Sequence, residues 1–290
     1  MEVDEILGSY HNRYFGSGYQ KGQYQIIDQD NHNVKIRVSY PGGWSKKQAS
    51  ERQPHLSTID GVIVAALISE RLLGEQSYEY YLSGFEIKAG NHEICLDHDL
   101  TVQIGPSHVT AQTGNFQFDV EGMKIKLQVT HSQGKAKVKS HHYLTEHLKA
   151  NRLHLGELTY LGQSGVSGVV NYHQDSSLDY DGLGSGQAQV ISIIEWLVIF
   201  SQMGELMAYH YDSLNRDDCN NLWMKSIKAS LSDPIKVNQP IRIMSELVKV
   251  SLINKDNQNW RVLKAHGSDI NNQVKFEAKM AHLLPAEWED

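Results

Sequence analysis

Residues 190–209 constrain the fold of this chain more than any other stretch. Val190, Ile191, Ile193, Ile194, Trp196, Leu197, Val198, Ile199, Phe200, Met203, Leu206 and Met207 leave no continuous polar face at helical spacing. A helix apolar on every side must be enclosed by other structure. The glycine-rich loop Asp181-Gly-Leu-Gly-Ser-Gly-Gln187 feeds it, and the pattern predicts a helix over 186–209. A bilayer span needs roughly 20 predominantly apolar residues, and here Ser192, Glu195, Gln202 and Glu205 interrupt the run. The expectation is a central core helix and no membrane partner.

A second helix of this kind is read in the first half. Ser57 and Asp60 in Pro54-His-Leu-Ser-Thr-Ile-Asp60 fit a capping pattern. The apolar run Ile59 to Ile68 continues to Leu73, and Gly74 is the expected stop. Each helix carries one carboxylate within its apolar run, Glu70 and Glu195, 125 residues apart. Alternating segments surround both helices. Val34–Tyr40 precedes the first, and runs within 84–88, 100–104, 108–112, 115–120 and 123–129 follow it. Gly165–Asn171 precedes the second, and 223–231, 233–252, 260–265 and 274–283 follow. Strict alternation between short turns is the signature of half-buried antiparallel strands. The expected fold is α+β, each half an antiparallel sheet wrapped around one long apolar helix. The expected domains are 1–140 and 153–290, with a linker over about 133–152.

Composition removes several functions. A formal net charge of −7 offers no basic field for nucleic acid. The opening Met-Glu-Val-Asp-Glu-Ile lacks the regions of a secretion signal, and Cys95 and Cys219 have no metal or redox spacing; a cytoplasmic protein is expected. The fifteen histidines are scattered. The densest group, His141, His142 and His147, lies in a polar segment and reads as solvated surface. No metal and no cofactor are expected. Tyr14-Phe-Gly-Ser-Gly-Tyr19 shares only its glycines with a phosphate loop, since no strand, lysine and Ser/Thr follow in order.

A glutamate buried without a partner has its pKa raised, which makes it usable as an acid or base near neutrality. Glu195 is such a candidate, and Asp181 precedes it by fourteen residues. Backbone or serine hydrogen bonding is the competing reading for Glu195, and an Asp-Gly turn for Asp181.

The tandem arrangement resembles the hotdog fold of thioester dehydratases and thioesterases. Hotdog dehydratases place an acid fourteen residues after a loop histidine. Asp181 stands in the histidine's place, Gly182, Gly184 and Gly186 supply the turn, and Glu195 is the acid. Aspartate for histidine puts ordinary dehydration in doubt. Arg13-Tyr-Phe-Gly-Ser-Gly-Tyr19, Tyr40-Pro-Gly-Gly-Trp-Ser45 and Pro54-His-Leu-Ser-Thr-Ile-Asp60 resemble the avirulence D (AvrD) family of bacterial proteins. That family is associated with syringolide-type acyl-sugar elicitors and is held akin to butyrolactone-autoregulator synthases. The resemblance implies an enzyme joining a β-ketoacyl thioester, on coenzyme A or an acyl carrier protein, to a small sugar or polyol. For that reaction the catalytic candidates are Glu195, Asp181, His55 and Asp60. Gly184, Gly186, Gln187, Gln189 and Glu70 are the substrate-binding candidates, with solvated glutamines and a structural Glu70 as the plainer alternatives. A dehydratase or thioesterase, and a non-catalytic acyl-binding module, remain the other readings. A pseudo-dimeric monomer or a homodimer is expected, with both helices or their leading loops contributing to one cleft.

Overall fold

The computed structural model describes residues 1–47, 50–90, 92–132, 141–174, 178–187, 190–218, 222–236 and 239–285. Among the described residues the α-helices are α1 (Val3–Leu7), α2 (Thr58–Leu73), α3 (Tyr143–Ala150) and α4 (Ile193–Tyr211). The first half supplies β1 (Gln23–Gln29), β2 (Asn33–Ser39), β3 (Tyr80–Lys88), β4 (Leu100–Ile104), β5 (Thr113–Val120) and β6 (Met123–His131). The second supplies β7 (Arg152–Leu161), β8 (Gly165–His173), β9 (Trp223–Leu231), β10 (Ile241–Lys255), β11 (Gln258–Asp269) and β12 (Val274–Leu283).

Alternation decides which way each strand faces. In β6, Met123, Ile125, Leu127 and Val129 are buried while Lys124, Lys126 and Gln128 are exposed. With a short His108–Val109 strand beside β5, these strands form one antiparallel sheet of thirteen, in the order β1-β2-β4-β5-β6-β3-β9-β12-β11-β10-β8-β7. The second half repeats the order of the first in reverse, as a pseudo-twofold axis requires. That axis passes between β3 and β9, which pair antiparallel with Phe85 opposite Ala229 and Ile87 opposite Ile227. The chain is an α+β tandem hotdog whose halves share a continuous sheet. Helix α2 packs on β2, β3, β5 and β6, α4 packs on β8 to β11 and reaches β3, and the two helices touch. Gly61 lets α2 lie close to its sheet, for a Cβ there would stand 2.7 Å from the Met123 sulfur.

Residues 1–22 form a strap that crosses to the second half. Leu158 N donates to the Met1 carbonyl. Arg13, 1% exposed, donates to Gly8 O, to Asp4 and to Gln202 Oε1 on α4. Close packing explains two glycines of this strap. A Cβ at Gly16 would overlap Tyr10 O, and one at Gly18 would overlap Trp44 O.

Several expectations are corrected. Helix α4 begins at Ile193, not at 186; Ser185–Gln187 is a separate 3-10 turn. Strands β1 and β7 were not read from the sequence. The 143–150 stretch, expected as linker, is a helix with buried Tyr143, Leu144, His147 and Leu148. His147 is thus not solvated surface, being 1% exposed. Glu70 lies near the end of its helix, whereas Glu195 is the third residue of α4. The equivalent of Glu195 is Asp60, the third residue of α2. Among the described residues no helix is long and apolar enough to cross a membrane.

Candidate active site

The pseudo-symmetry creates two related helix mouths. At the mouth of α2, Ser57 Oγ accepts from the Asp60 N–H at 3.1 Å, and Asp60 Oδ2 accepts from the Ser57 N–H at 3.0 Å. This reciprocal capping box satisfies two backbone donors. Ser57 Oγ–H also donates to Oδ2 at 2.7 Å. Asp60 Oδ1 accepts from Tyr24 at 2.6 Å and Tyr40 at 2.5 Å, while Tyr14 lies 3.3 Å from Oδ2. Burial, then the Asp60 charge, pushes all three phenols well above their ordinary range. They stay protonated as donors around a carboxylate with no solvent exposure.

Beside this knot opens a cavity of about 170 Å³ lined by residues of both halves, among them Trp44, His55, Glu93, Glu205, Arg216 and Trp223. The His55 segment is fastened to the 94–96 strand-like stretch by a bridge to Cys95 and by Leu56 N–H donating to Ile94 O at 2.8 Å. The imidazole packs 4.3 Å from the Trp44 ring. Its Nδ1 lies 2.7 Å from Glu93 Oε1, without the alignment of a hydrogen bond. Burial lowers the His55 pKa, and the Glu93 charge only partly opposes it, so at neutral pH the ring is a neutral base. Glu205 comes from α4, and burial raises its pKa against the opposing charges of Arg216, Arg13 and Lys47. Since Asp60 N–H is capped by Ser57, the Thr58 and Ile59 N–H groups remain without intrahelical acceptors. A helix N-terminus of this kind stabilises developing negative charge.

The mouth of α4 repeats the cap with a different surround. Glu195 Oε2 accepts from the Ser192 N–H at 2.8 Å, and Oε1 accepts from Tyr172 at 2.8 Å and Asn151 Nδ2 at 2.9 Å. His147 Nδ1 contacts the Tyr143 carbonyl, which can only accept, so the proton is assigned to Nδ1. Its Nε2 then accepts the Ser192 hydroxyl at 3.2 Å and lies 3.9 Å from Glu195 Oε2. Burial lowers the His147 pKa. Here α3 and the 180–187 loop occupy the space that is open at α2. Gly184 adopts φ +94° against the Tyr143 ring, where no Cβ fits. Leu183 N–H donates to Glu70 Oε2, and His142 Nε2 meets Glu70 Oε1, both at 2.9 Å. What remains is about 20 Å³.

The sequence candidates therefore fall into two groups. His55 and Asp60 meet at the α2 mouth. Glu195, Gly184 and Gln187 belong to the α4 mouth, where Gly184 and Gln187 line the small cavity. Gly186 is exposed, and Asp181 is half-buried in a bridge with His142. Glu70 anchors the loop that follows Asp181. Gln189 lies outside the described residues. Glu93, Glu205, His147, Tyr172 and Asn151 were missed. Only His147 left a local signal, because Tyr143, Leu144 and Leu148 share its helical face. The three motifs Arg13–Tyr19, Tyr40–Ser45 and Pro54–Asp60 converge on the α2 mouth through Tyr14, Tyr40, Trp44, His55 and Asp60.

The model of the family described as Pseudomonas avirulence D protein (AvrD) matches residues 1–285. No curated protein matches the sequence. Among solved structures, a tesB protein of Mycobacterium avium subspecies paratuberculosis is similar over 90% of this chain and 96% of its own, at 6% identity and a TM-score of 0.51. Acyl-CoA thioesterase II TesB2 of Mycobacterium marinum matches with 7% identity and a TM-score of 0.45, covering 90% and 97% of the two chains. The PpsC dehydratase domain of Mycobacterium tuberculosis matches with 10% identity and a TM-score of 0.40, covering 92% and 99%.

Proposed function

The chain belongs to the AvrD family, and from that premise we propose that it is an enzyme acting on acyl thioesters at the α2 mouth. The proposed reaction joins a β-ketoacyl thioester to a hydroxyl of a small sugar or polyol. The observation that carries this reading is the open cavity at the N-terminus of α2, with the neutral His55 in one wall and Glu205 of the other half in another. His55 takes the proton of the attacking hydroxyl as its oxygen bonds to the thioester carbonyl carbon. The Thr58 amide, in the cavity wall at the helix N-terminus, is the donor offered to the developing oxyanion. The carbon–sulfur bond then breaks, and the proton passes from His55 to the departing thiolate, giving an ester and a free thiol. Trp44, Leu222, Trp223 and Met224 supply an apolar wall for the acyl chain. The Glu93 charge, 2.7 Å from Nδ1, favours the cationic form of the imidazole during transfer. In this reading Asp60 and Glu195 are positioning residues, since every bond described for them holds a helix mouth together.

Hydrolysis is the second reading. It uses the same residues with water as nucleophile, and a cavity of about 170 Å³ admits water readily. Mass spectrometry of the protein incubated with β-ketoacyl thioesters, with and without ketoses, trioses and sugar alcohols, separates the two. Acyl-sugar masses that disappear in His55→Gln support transfer. Free acid alone supports hydrolysis. An intact thioester would refute both.

A further inference from the structure

On the outer face of the sheet, away from α2 and α4, the strand register lines side chains into rows. One row runs from β6 to β10 through Lys126, Glu86, Lys228, Glu277, His266 and Glu246. Its charges alternate, and Glu86 meets Lys126 at 3.7 Å and Lys228 at 3.3 Å. The neighbouring row crosses the same strands through Lys124, Lys88, Ser226, Lys279, Lys264 and Lys249. All five of its lysines are exposed. Lys124 meets Asp119 of β5 at 3.8 Å, and the other four have no ion-pair partner among the described residues. Like charges directly opposite one another destabilise a sheet. Strands ~4.8 Å apart hold these ammonium groups well within a Debye length of about 10 Å at 0.1 M salt. One row shows the pairing this sheet uses for stability, and its neighbour forgoes it. We propose that the lysine row is a docking surface for an acidic, amphipathic helix of a partner protein.

The shape of the row selects the partner. From β6 to β10 it extends ~24 Å, the length of a helix of about 16 residues, and acidic side chains one helical turn apart recur every ~5.4 Å. That repeat is close to the strand spacing, so one acidic helix face can meet lysine after lysine. Beyond the lysines the same sheet face turns apolar, with Trp223, Val262, Trp260 and Ile253, the last 47% exposed. Lys225 Nζ stands 5.7 Å over the Trp223 ring. The surface is thus a cationic strip with apolar side chains along one edge and the alternating row along the other. A helix about 10–12 Å across rests on the lysine and apolar rows alone. A membrane or a nucleic-acid duplex presents a broader anionic surface, which would also meet Glu246 and Glu277. With a formal net charge of −7, the chain repels an acidic partner overall and attracts it at this strip, which fixes where it docks. Trp223 also lines the cavity at α2, so the docked helix lies against a wall of that cavity. The inference stands on the two rows and not on the proposed reaction.

The test titrates the full chain into a fluorescein-labelled peptide of about 18 residues, ~27 Å as a helix, with glutamates along one face and leucines beside them. A second peptide of the same composition scatters its glutamates around the helix. Fluorescence anisotropy should show tighter binding of the patterned peptide, weakening as salt is raised. Lys264→Glu restores alternation between Lys249 and Lys279. It should weaken binding at least about tenfold (1.4 kcal/mol) while the melting temperature holds or rises, a combination that misfolding cannot produce. Lys249→Gln with Lys279→Gln should give the same loss by neutralisation. Lys35→Gln with Lys149→Gln removes as much charge away from the row and should bind as the native protein does. Equal binding of the two peptides or native affinity in folded Lys264→Glu would overturn the inference. So would tighter binding of phosphatidylglycerol vesicles or duplex DNA than of the patterned peptide.

Discussion

The two helix mouths start from the same device and end as different places. Each has a serine N-cap and a carboxylate at the third helical position that accepts from tyrosine, from Tyr14, Tyr24 and Tyr40 at Asp60 and from Tyr172 at Glu195. At α2 the neighbouring space is an open cavity of about 170 Å³, with His55 exposed enough to meet a ligand. At α4 the helix α3 and the 180–187 loop reduce it to about 20 Å³, and the histidine there is sealed in. In the proposed function, the duplicated scaffold keeps the α2 mouth for chemistry and turns the α4 mouth into a structural knot. The capped carboxylate is common to both mouths. It is therefore explained by helix termination, whereas the histidine's exposure distinguishes them.

The largest effect expected from breaking this difference is kinetic. His55→Gln should lower turnover by about 10²–10⁴-fold, the usual contribution of a general base, with the melting temperature little changed. Glu195→Ala should do the opposite. It strands the donors of Tyr172, Asn151 and Ser192 in the interior, and at about 1–3 kcal/mol each the loss should reach about 3–5 kcal/mol in a denaturant titration. Turnover per folded molecule should persist. Tyr40→Phe should be smaller, about 1.5–3 kcal/mol for one hydrogen bond to a charged group, measured the same way.

Much of the fold was readable because burial on one sheet face imposes period two, which β6 follows from Met123 to Val129 and β9 from Ile227 to Leu231. The strands that escaped notice, β1 and β7, are the two edges of the sheet, where one side has no neighbour and polar residues are tolerated. The start of α4 was misplaced because three glycines outweighed Ser192-Ile-Ile-Glu195, although that capping box mirrors Ser57-Thr-Ile-Asp60. The same oversight paired Glu195 with Glu70. At the site, His55 and Asp60 were legible from one motif. Glu93 and Glu205 were not, because the fold alone brings distant segments to His55, and nothing local marks a half-exposed glutamate as its partner.

The smallest expected effect is the pH dependence, and it sharpens the contrast. His147 has a pKa lowered by burial from its ordinary 6.5, so the unfolded chain binds the proton first as pH falls. Its contribution to stability is complete above about pH 6.5 and is lost as pH drops through the lowered native value. Denaturant midpoints measured from pH 8 to 5 should fall only on the acid side. His147→Gln should flatten part of that fall without moving the pH profile of turnover. His55, lowered in the same direction, should keep the turnover plateau extending below pH 6.5.

The most direct measurement is product formation from a β-ketoacyl thioester by His55→Gln and Glu195→Gln side by side, each normalised to its folded fraction. The account predicts that His55→Gln forms little product while folded Glu195→Gln retains it. Product lost from folded Glu195→Gln and kept in His55→Gln would place the chemistry at α4 and contradict the account.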